Sequence, residues 1–333
     1  MGFRRPRRDD VAVRAREFTR SWIGNPCSTK ELRESVRPGR WCVFGVPVAF
    51  DSDDPLANGG PEAVRAALPY LWPRAPRRLW DWNAGGVVDS AGVLPLDLGD
   101  VRYDRREDRA ADVERRLTLA VGEITRHGGR PLILGGEHWL TYPVLAGLLG
   151  SGDRQVDVIH FDAHTDRPAA GSGGVGTLRN SNVMSFVEDL SGVRRLLQLG
   201  VREFDVLPPG HDEPPASKKA EVVACARLLG GESAESLFAP VEPGSSVYLS
   251  IDVDVLDPAV APEVGWPVPG GLGLDRLLEL IAYVGSAYDV VGADVVEVHG
   301  SAGRNNLAAL AAARCVRRLV LGASEGHHYA FPN

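Results

Sequence analysis

The sequence predicts one α/β domain built on a parallel sheet covered on both faces, and three observations carry that expectation. Uninterrupted apolar runs of strand length recur along the chain, as they do in strands buried on both faces. These runs alternate with segments of helical period, which is the pattern of βα units. No linker, internal repeat or low-complexity stretch interrupts residues 41–325. One domain is therefore expected there, flanked by an N-terminal extension, 1–40, and a C-terminal tail, 326–333.

Taken in order, residues 1–40 open strongly basic (MGFRRPRRDD) and hold no obvious strand. They read either as a short helix over 10–22 or as an arm that contacts another subunit. WCVFGVPV, 41–48, is the first buried strand. Pro61 then stands at the first position of a helix, PEAVRAALPYLW, where its missing N–H costs nothing. The stretch 74–108 is rich in Pro, Arg and Asp, and only GVVD at 86–89 has a strand-like pattern. Between Arg109 and His127, residues Val113, Leu117, Ala120, Val121 and Ile124 recur near a 3.6 period, and Gly128–Gly129 close that helix. RPLILGGEH, 130–138, is a strand, and a helix follows over 141–150. The apolar run 156–161 is the next strand, followed by a Gly-rich loop over 169–177, a helix over 181–190 and the strand RLLQLGVRE, 195–203. A Pro-rich loop, 205–216, leads to an expected helix through 218–229. Strand 247–255 enters the long loop DPAVAPEVGWPVPGG before a helix over 273–284, the strand VVGADVVEV at 290–298 and an Ala/Leu/Arg-rich last helix, 305–321.

Composition narrows the class. Of 333 residues, 44% are hydrophobic and 24% charged, ordinary for a soluble globular protein. A net charge of −7 argues against a nucleic-acid partner held by general electrostatics. Cys27, Cys42, Cys225 and Cys315 lack the spacing of a disulfide framework or a zinc site. No apolar stretch is long enough to span a bilayer, and no apolar run follows the N-terminal arginines as a secretion signal requires. A cytoplasmic protein without a membrane partner is expected.

Two strands end in bursts of acid. VDVIHFDAHTD, 156–166, finishes with Asp162, His164 and Asp166; VYLSIDVDVLD, 247–257, finishes with Asp252, Asp254 and Asp257. In an open parallel sheet, ligands bind beyond the carboxyl ends of the strands. Alternate residues of an extended chain share a side, so these groups can point at one place. Buried like charges would neutralise one another unless a cation resolved them, and a mixed carboxylate and imidazole set suits Mn²⁺ better than structural zinc or calcium. One such motif alone would read as a solvated turn; the pair predicts a metal site. His138, after Gly135–Gly136–Glu137, is a further ligand candidate, with a satisfied core histidine as the plainer reading. Glu297 and His299 end the strand 290–298, where Glu297 is either a substrate contact or a solvated strand end. Asp257, before Pro258, reads as a turn or supporting residue, His160 as core or support, Trp139 as packing, and His327 and His328 as exposed.

With these residues in hand, the chain resembles the ureohydrolases, the arginase and agmatinase family of dimanganese amidinohydrolases. Its motifs appear as GGEH (135–138), DAHTD (162–166) and SIDVDVLDP (250–258), in family order, and GGPEAVR (59–65) and APEVGWPVPGGL (261–272) add weaker support. The resemblance covers about 41–325. It implies a three-layer α/β/α sandwich around a mainly parallel eight-stranded sheet, assembled as a homo-oligomeric trimer or hexamer. It also implies two Mn²⁺ per subunit, one held by His138, Asp162, Asp166 and Asp252, the other by Asp162, His164, Asp252 and Asp254. Two such ions about 3.5–4 Å apart lower the pKa of a shared water, which attacks the carbon of a guanidino substrate. Glu297 would grip the guanidinium nitrogens and Asp166 would pass a proton to the leaving amine, giving urea and an amine.

Three departures from the family pattern bear on catalysis. The family carries a shuttle histidine about ten to thirteen residues after DAHTD; here the segment 167–186 holds no histidine, and Asn180 or the neighbourhood of Val175 takes its place. An amide can orient a water or a substrate but cannot shuttle a proton. Trp266 replaces a small hydroxyl residue, which predicts a narrower or reshaped pocket, and His299 stands where a small residue or proline is usual and is a candidate acid–base group. Arg167, next to Asp166, adds a cation that would favour a substrate carboxylate or repel a second amine. A guanidino hydrolase is the leading expectation; a hydrolase of a formimino or other linear amidine, and a metal-retaining family member that binds without turnover, are the alternatives.

Overall fold

The computed structural model describes residues 36–51, 56–71, 78–82, 86–89, 95–101, 103, 106, 108–150, 153–167, 177–204, 207, 210–212, 217–300 and 305–322. The expectations for residues 1–35, Val175, His327, His328 and the tail 326–333 lie outside these residues.

Strands β1 (Trp41–Val46), β4 (Leu96–Asp100), β5 (Arg130–Gly135), β6 (Val156–Phe161), β7 (Val193–Val201), β8 (Ala220–Ala224), β9 (Ser246–Asp252) and β10 (Asp289–Val296) form one eight-stranded sheet in the order β4-β1-β5-β10-β9-β6-β7-β8. Every pairing within it is parallel. The remaining strands, β2 (Arg78–Asp81) and β3 (Gly86–Asp89), pair only with each other as an antiparallel ribbon. The eight helices are α1 (Gly60–Leu71), α2 (Ala110–Arg126), α3 (Thr141–Leu149), α4 (Val183–Asp189), α5 (Cys225–Leu229), α6 (Ala234–Leu237), α7 (Leu274–Ala287) and α8 (Leu307–Gly322), counted among the described residues.

Side-chain alternation along the strands divides the core into two layers. Val43, Leu132, Leu134, Ile159, Phe161, Leu249 and Val295 face α1, α7 and α8. Cys42, Phe44, Ile133, Val158 and Tyr248 face α2, α3 and α4. Because both faces are covered, the central strands are buried along their whole length, and this is why they appear in the sequence as unbroken apolar runs. The α/β/α sandwich with its parallel sheet is as expected.

Two edge strands of the main sheet differ from expectation, and Arg78–Asp81 form a strand that the sequence did not mark. Residues 218–229 are not one helix: Ala220–Ala224 form the edge strand β8, and only Cys225–Leu229 are helical. The edge position explains the misreading. Of the five β8 residues only Val223 is buried, so the strand lacks the apolar run that marks its neighbours. β4, within the stretch 74–108 where only GVVD had a strand-like pattern, is the opposite edge; there Arg65 of α1 pairs with Asp97 at 2.9 Å and with Asp100.

Four adjacent strands, β5, β10, β9 and β6, occupy the middle of the sheet. Their carboxyl ends deliver His138, Glu297, Asp252 and Asp162 to one edge of the sandwich. At that edge the Gly135–Gly136 pair lets the backbones close up: a Cβ on Gly136 would lie 2.8 Å from the carbonyl oxygens of Val46 and Val48.

Candidate metal centre and substrate cleft

The two acidic motifs do not continue as extended chain beyond their strands. Asp162 Oδ1 accepts the backbone N–H of His164 at 2.6 Å, and Asp252 Oδ1 accepts that of Asp254 at 2.9 Å. In each motif the first aspartate caps a tight turn two residues on, as short Asx side chains do. The alternation expected from the sequence is replaced by these turns, yet the side chains still converge.

They converge as two groups. In the first, Nδ1 of His138 has Asp166 Oδ2 at 3.0 Å, Asp252 Oδ2 at 3.2 Å and Asp162 Oδ2 at 3.3 Å. In the second, Nδ1 of His164 has Asp254 Oδ2 at 3.0 Å and Asp162 Oδ1 at 3.2 Å. Asp162 therefore places one carboxylate oxygen in each group. All six predicted ligands are brought together.

His160 also reaches Asp162 Oδ2, at 2.9 Å through Nε2. Its Nδ1 is 3.0 Å from the Gln198 amide nitrogen, which also donates to the Thr165 carbonyl. With Nδ1 accepting from that amide, Nε2 carries the hydrogen given to Asp162. Both ring nitrogens are committed, so His160 supports a ligand carboxylate, as expected.

The tautomer of His138 is set from behind. Ser250 donates its hydroxyl to Asp294 Oδ1 at 2.7 Å, so its oxygen accepts from His138 Nε2–H at 3.0 Å. Tyr248 and Thr141 donate to the other oxygen of Asp294, at 2.6 and 2.9 Å. A neutral ring held this way would present its lone pair at Nδ1, and that atom is buried without a hydrogen bond. A buried nitrogen orphaned among three carboxylates is what a cation site leaves when its donors are considered alone.

The electrostatics agree. Burial raises the carboxyl pKa of Asp252 well above the ordinary value, with the Asp254 and Asp162 charges adding to it. Burial and then Asp162 push Asp254 up to about 7, and the same two causes raise Asp166. Burial would also raise Asp162, but His160, His138 and His164 hold it well below the usual range. For His138 burial works against the charged ring, yet its carboxylate neighbours more than offset that, and its pKa lies well above normal. The cluster draws positive charge inward. Its imidazole and carboxylate donors fit a divalent first-row metal better than calcium or a thiolate-seeking ion.

Above the cluster opens a cleft of about 960 Å³ lined by Glu297, His299, Thr165, Asn180, Gly265 and Trp266 among others. Glu297 is buried, and its backbone is in the left-handed region at φ 60°, with its N–H on the Gly136 carbonyl at 2.9 Å. Glu297 Oε1 accepts the His138 backbone N–H at 2.8 Å, and Oε2 lies 3.1 Å from His299 Nε2. Gly265 allows this packing, since a Cβ there would sit 2.9 Å from His299 Cε1. Asp166 also has positive φ, 47°, and its carbonyl accepts the Met184 N–H at 3.1 Å.

Three sequence expectations need correction or limits. Asn180 lines the cleft, but its Oδ1 accepts the Trp139 N–H at 3.0 Å and its own N–H is held by Asp51 at 3.0 Å. Its carbonyl is a clamp on the chain after His138. Trp266 is 78% exposed, so the indole stands at the mouth and does not crowd the cluster. Arg167 bonds Glu188 through Nε at 3.0 Å and Nη2 at 2.9 Å, so the added cation is offset. Trp139 packs as expected, 3% exposed and 5.5 Å from Phe50 between ring centroids. Asp257 accepts the N–H groups of Ala259, Gly270 and Gly271 at 2.9, 2.8 and 3.1 Å, which makes it a turn residue and no ligand.

Several supporting residues escaped the sequence. Glu137 accepts the Phe50 and Asp51 N–H groups and the Trp139 indole N–H. Asp294 and Gln198 were signalled only as polar residues inside apolar runs. Arg202 carried no signal; its guanidinium donates to the carbonyls of Asp254 at 2.7 Å and Val268 at 2.6 Å.

Residues 40–322 match the Arginase family. The chain belongs to the arginase family. An agmatinase of Serratia proteamaculans (strain 568) is 33% identical over 283 residues, covering 82% of this chain and 84% of that one. An agmatinase of Edwardsiella ictaluri (strain 93-146) is 34% identical over the same shares. Among solved structures, a hypothetical agmatinase from Burkholderia thailandensis superposes with a TM-score of 0.70 at 28% identity, covering 92% of this chain and 88% of that chain. The family is metal-dependent, and its members are hydrolases of linear amidine C–N bonds; this arginase-family chain is such a hydrolase, with a His/Asp cluster able to hold metal. Among the described residues no helix is long and apolar enough to cross a membrane.

Proposed function

We propose that this arginase-family protein hydrolyses a guanidino compound to urea and an amine on a pair of Mn²⁺ ions, as a cytoplasmic homo-oligomer. The observation that carries the reading is Asp162, whose two oxygens each face a different histidine-centred group. His138, Asp162, Asp166 and Asp252 would hold one ion; Asp162, His164, Asp252 and Asp254 would hold the other. Bound there, the metal pair supplies the Lewis acid that lowers the pKa of water and polarises the amidine.

The other work falls to the chain. Glu297 receives the guanidinium N–H groups, a charge-assisted contact. Its carboxylate is already aimed, because Oε1 is held by the His138 N–H and Oε2 by His299. A fixed acceptor of this kind orients the planar carbon toward the cluster without losing side-chain freedom on binding. The Asp166 carboxyl takes up a proton from the attacking water and returns it to the leaving nitrogen. His299, buried against Glu297 and lining the cleft, would carry the second proton of the attacking water to the leaving amine.

The test is metal uptake and urea release by manganese-loaded protein offered a panel of guanidino compounds. Two manganese per chain and urea from at least one compound are expected. Formamide or ammonia without urea would move the assignment to a formimino substrate, and no product from any compound would overturn it.

A further inference from the structure

The walls of the cleft change character between floor and mouth. At the floor lie the His/Asp cluster and Glu297; at the mouth lie Trp266, Pro267, Val268 and Phe204. Trp266 is 78% exposed and Phe204 95% exposed. Single exposed aromatics are unremarkable, but two from separate segments lining one cleft offer it apolar surface. The cleft is also far larger than a guanidinium requires.

The two segments are joined by one side chain. Arg202 donates to the Val268 carbonyl through Nη2 at 2.6 Å and Nε at 3.1 Å, and to the Asp254 carbonyl at 2.7 Å. Its own backbone N–H is held by the Ala163 carbonyl at 2.9 Å. Phe204 is two residues beyond Arg202, and Trp266 is two residues before Val268. The aromatic rim is thus mounted on the same frame as Asp254, a rigid support for a binding surface.

The two arginines at the mouth have ion-pair partners. Arg167 is engaged by Glu188, and Arg179 lies 3.4 Å from Asp51. A substrate carboxylate would meet Arg179 only in competition with Asp51. A terminal amine would find Glu203, whose Oε1 already accepts the Phe204 N–H at 2.8 Å. Beside that one carboxylate, the rim offers the exposed rings of Trp266 and Phe204.

From this we infer that the substrate's guanidinium carries an apolar or aromatic tail, seated on Trp266 and Phe204, and that these two residues set specificity. The inference rests on the function proposed above. A tail leaving Glu297 has to pass the rim to reach solvent, and a flat or branched hydrocarbon there would remove both rings from water.

The test compares methylguanidine, butylguanidine, phenethylguanidine, agmatine and arginine on manganese-loaded protein. It uses kcat/KM for urea release and, in parallel, calorimetric binding. Phenethylguanidine and butylguanidine are expected to exceed agmatine and arginine by about tenfold or more, the scale of one good apolar contact. In the double variant Trp266→Ala/Phe204→Ala the ratio of phenethylguanidine to methylguanidine should fall by about tenfold, with two metals per chain retained. A preference for agmatine or arginine overturns the inference, as does a ratio that survives in the double variant. A double variant that changes the sedimentation behaviour while keeping the preference would assign the rings to a contact between copies, and also overturns it. Binding decides the tail preference even where no urea is released, an outcome that would count against hydrolysis alone.

Discussion

Ser250 offers a sharp test of the metal centre, because it is none of the six proposed ligands and bonds one of them, His138, from behind. Its hydroxyl lies between His138 Nε2 at 3.0 Å and Asp294 Oδ1 at 2.7 Å, fully buried. Ser250→Ala leaves the His138 N–H facing a methyl group and removes one of three donors from Asp294. Losing the bond to the charged carboxylate costs roughly 1.5–3 kcal/mol. The fold should survive, since Tyr248 and Thr141 still satisfy Asp294. The ring, however, loses the partner that keeps its lone pair at Nδ1, and loss of such a partner weakens metal affinity by about 10–100-fold. Equilibrium dialysis against manganese measures this directly. Thr141→Val is the control, because it removes a donor from the same carboxylate without touching His138. Manganese affinity within about threefold of the parent in Ser250→Ala, or an equal loss in Thr141→Val, would refute the argument that Ser250 orients a metal-binding nitrogen.

Other expectations follow from the same geometry. Glu297→Gln should lower kcat/KM by about 10–100-fold, the loss of one charge-assisted contact, while manganese stoichiometry stays at two; loss of metal instead would place Glu297 among the ligands. Asn180→His should change turnover by less than about threefold, because His299 already stands at Glu297, and a tenfold gain would show that a proton carrier is missing. The Asp254 carboxyl sits at about 7, above its ordinary 3.8, so its contribution to metal-free stability is complete below 3.8 and lost as pH rises through about 7. Manganese must displace that proton, so its affinity should fall as pH drops below 7, and the rise in Tm on adding manganese should be larger at pH 8 than at pH 6; the reverse order would contradict the raised pKa.

Much of the centre was legible because each ligand lies within a few residues of the end of a buried strand, and buried parallel strands announce themselves as apolar runs. What the pattern could not supply is which strands are neighbours. That depends on helical crossovers, which bring β10 and β9 between β5 and β6 although both come later in the chain. The edges were illegible for a different reason: β4 and β8 have few buried positions, so period and polarity no longer mark them. Asp294 shows an intermediate case. A carboxylate inside VVGADVVEV signals a buried polar network, but its partners Ser250, Tyr248 and Thr141 come from two other elements and appear only in three dimensions. Trp266 was visible as an anomaly, and its placement at the mouth required the fold.

The choice of partners separates the structural carboxylates of this protein from those of the cleft. Three buried or half-buried aspartates away from the cleft are each given an arginine: Arg65 for Asp97, Arg116 for Asp108, Arg194 for Asp157, at 2.9, 2.6 and 2.7 Å. A guanidinium is always charged and forks onto a carboxylate, so such a pair is complete in itself. Among the described residues, Asp162, Asp166, Asp252 and Asp254 have ion-pair partners of one kind only, imidazoles. An imidazole can give up its proton and remain a donor ligand, which an arginine cannot. Two of the non-glycine residues held at positive φ, Asp166 and Glu297, are at the same place, each costing of order 1 kcal/mol or more to keep there. Like charges left without arginine, a buried nitrogen without a hydrogen bond and strained backbone are three separate costs to stability. A divalent cation between the carboxylates would answer the first two, and a guanidinium on Glu297, as proposed, would give the third its purpose.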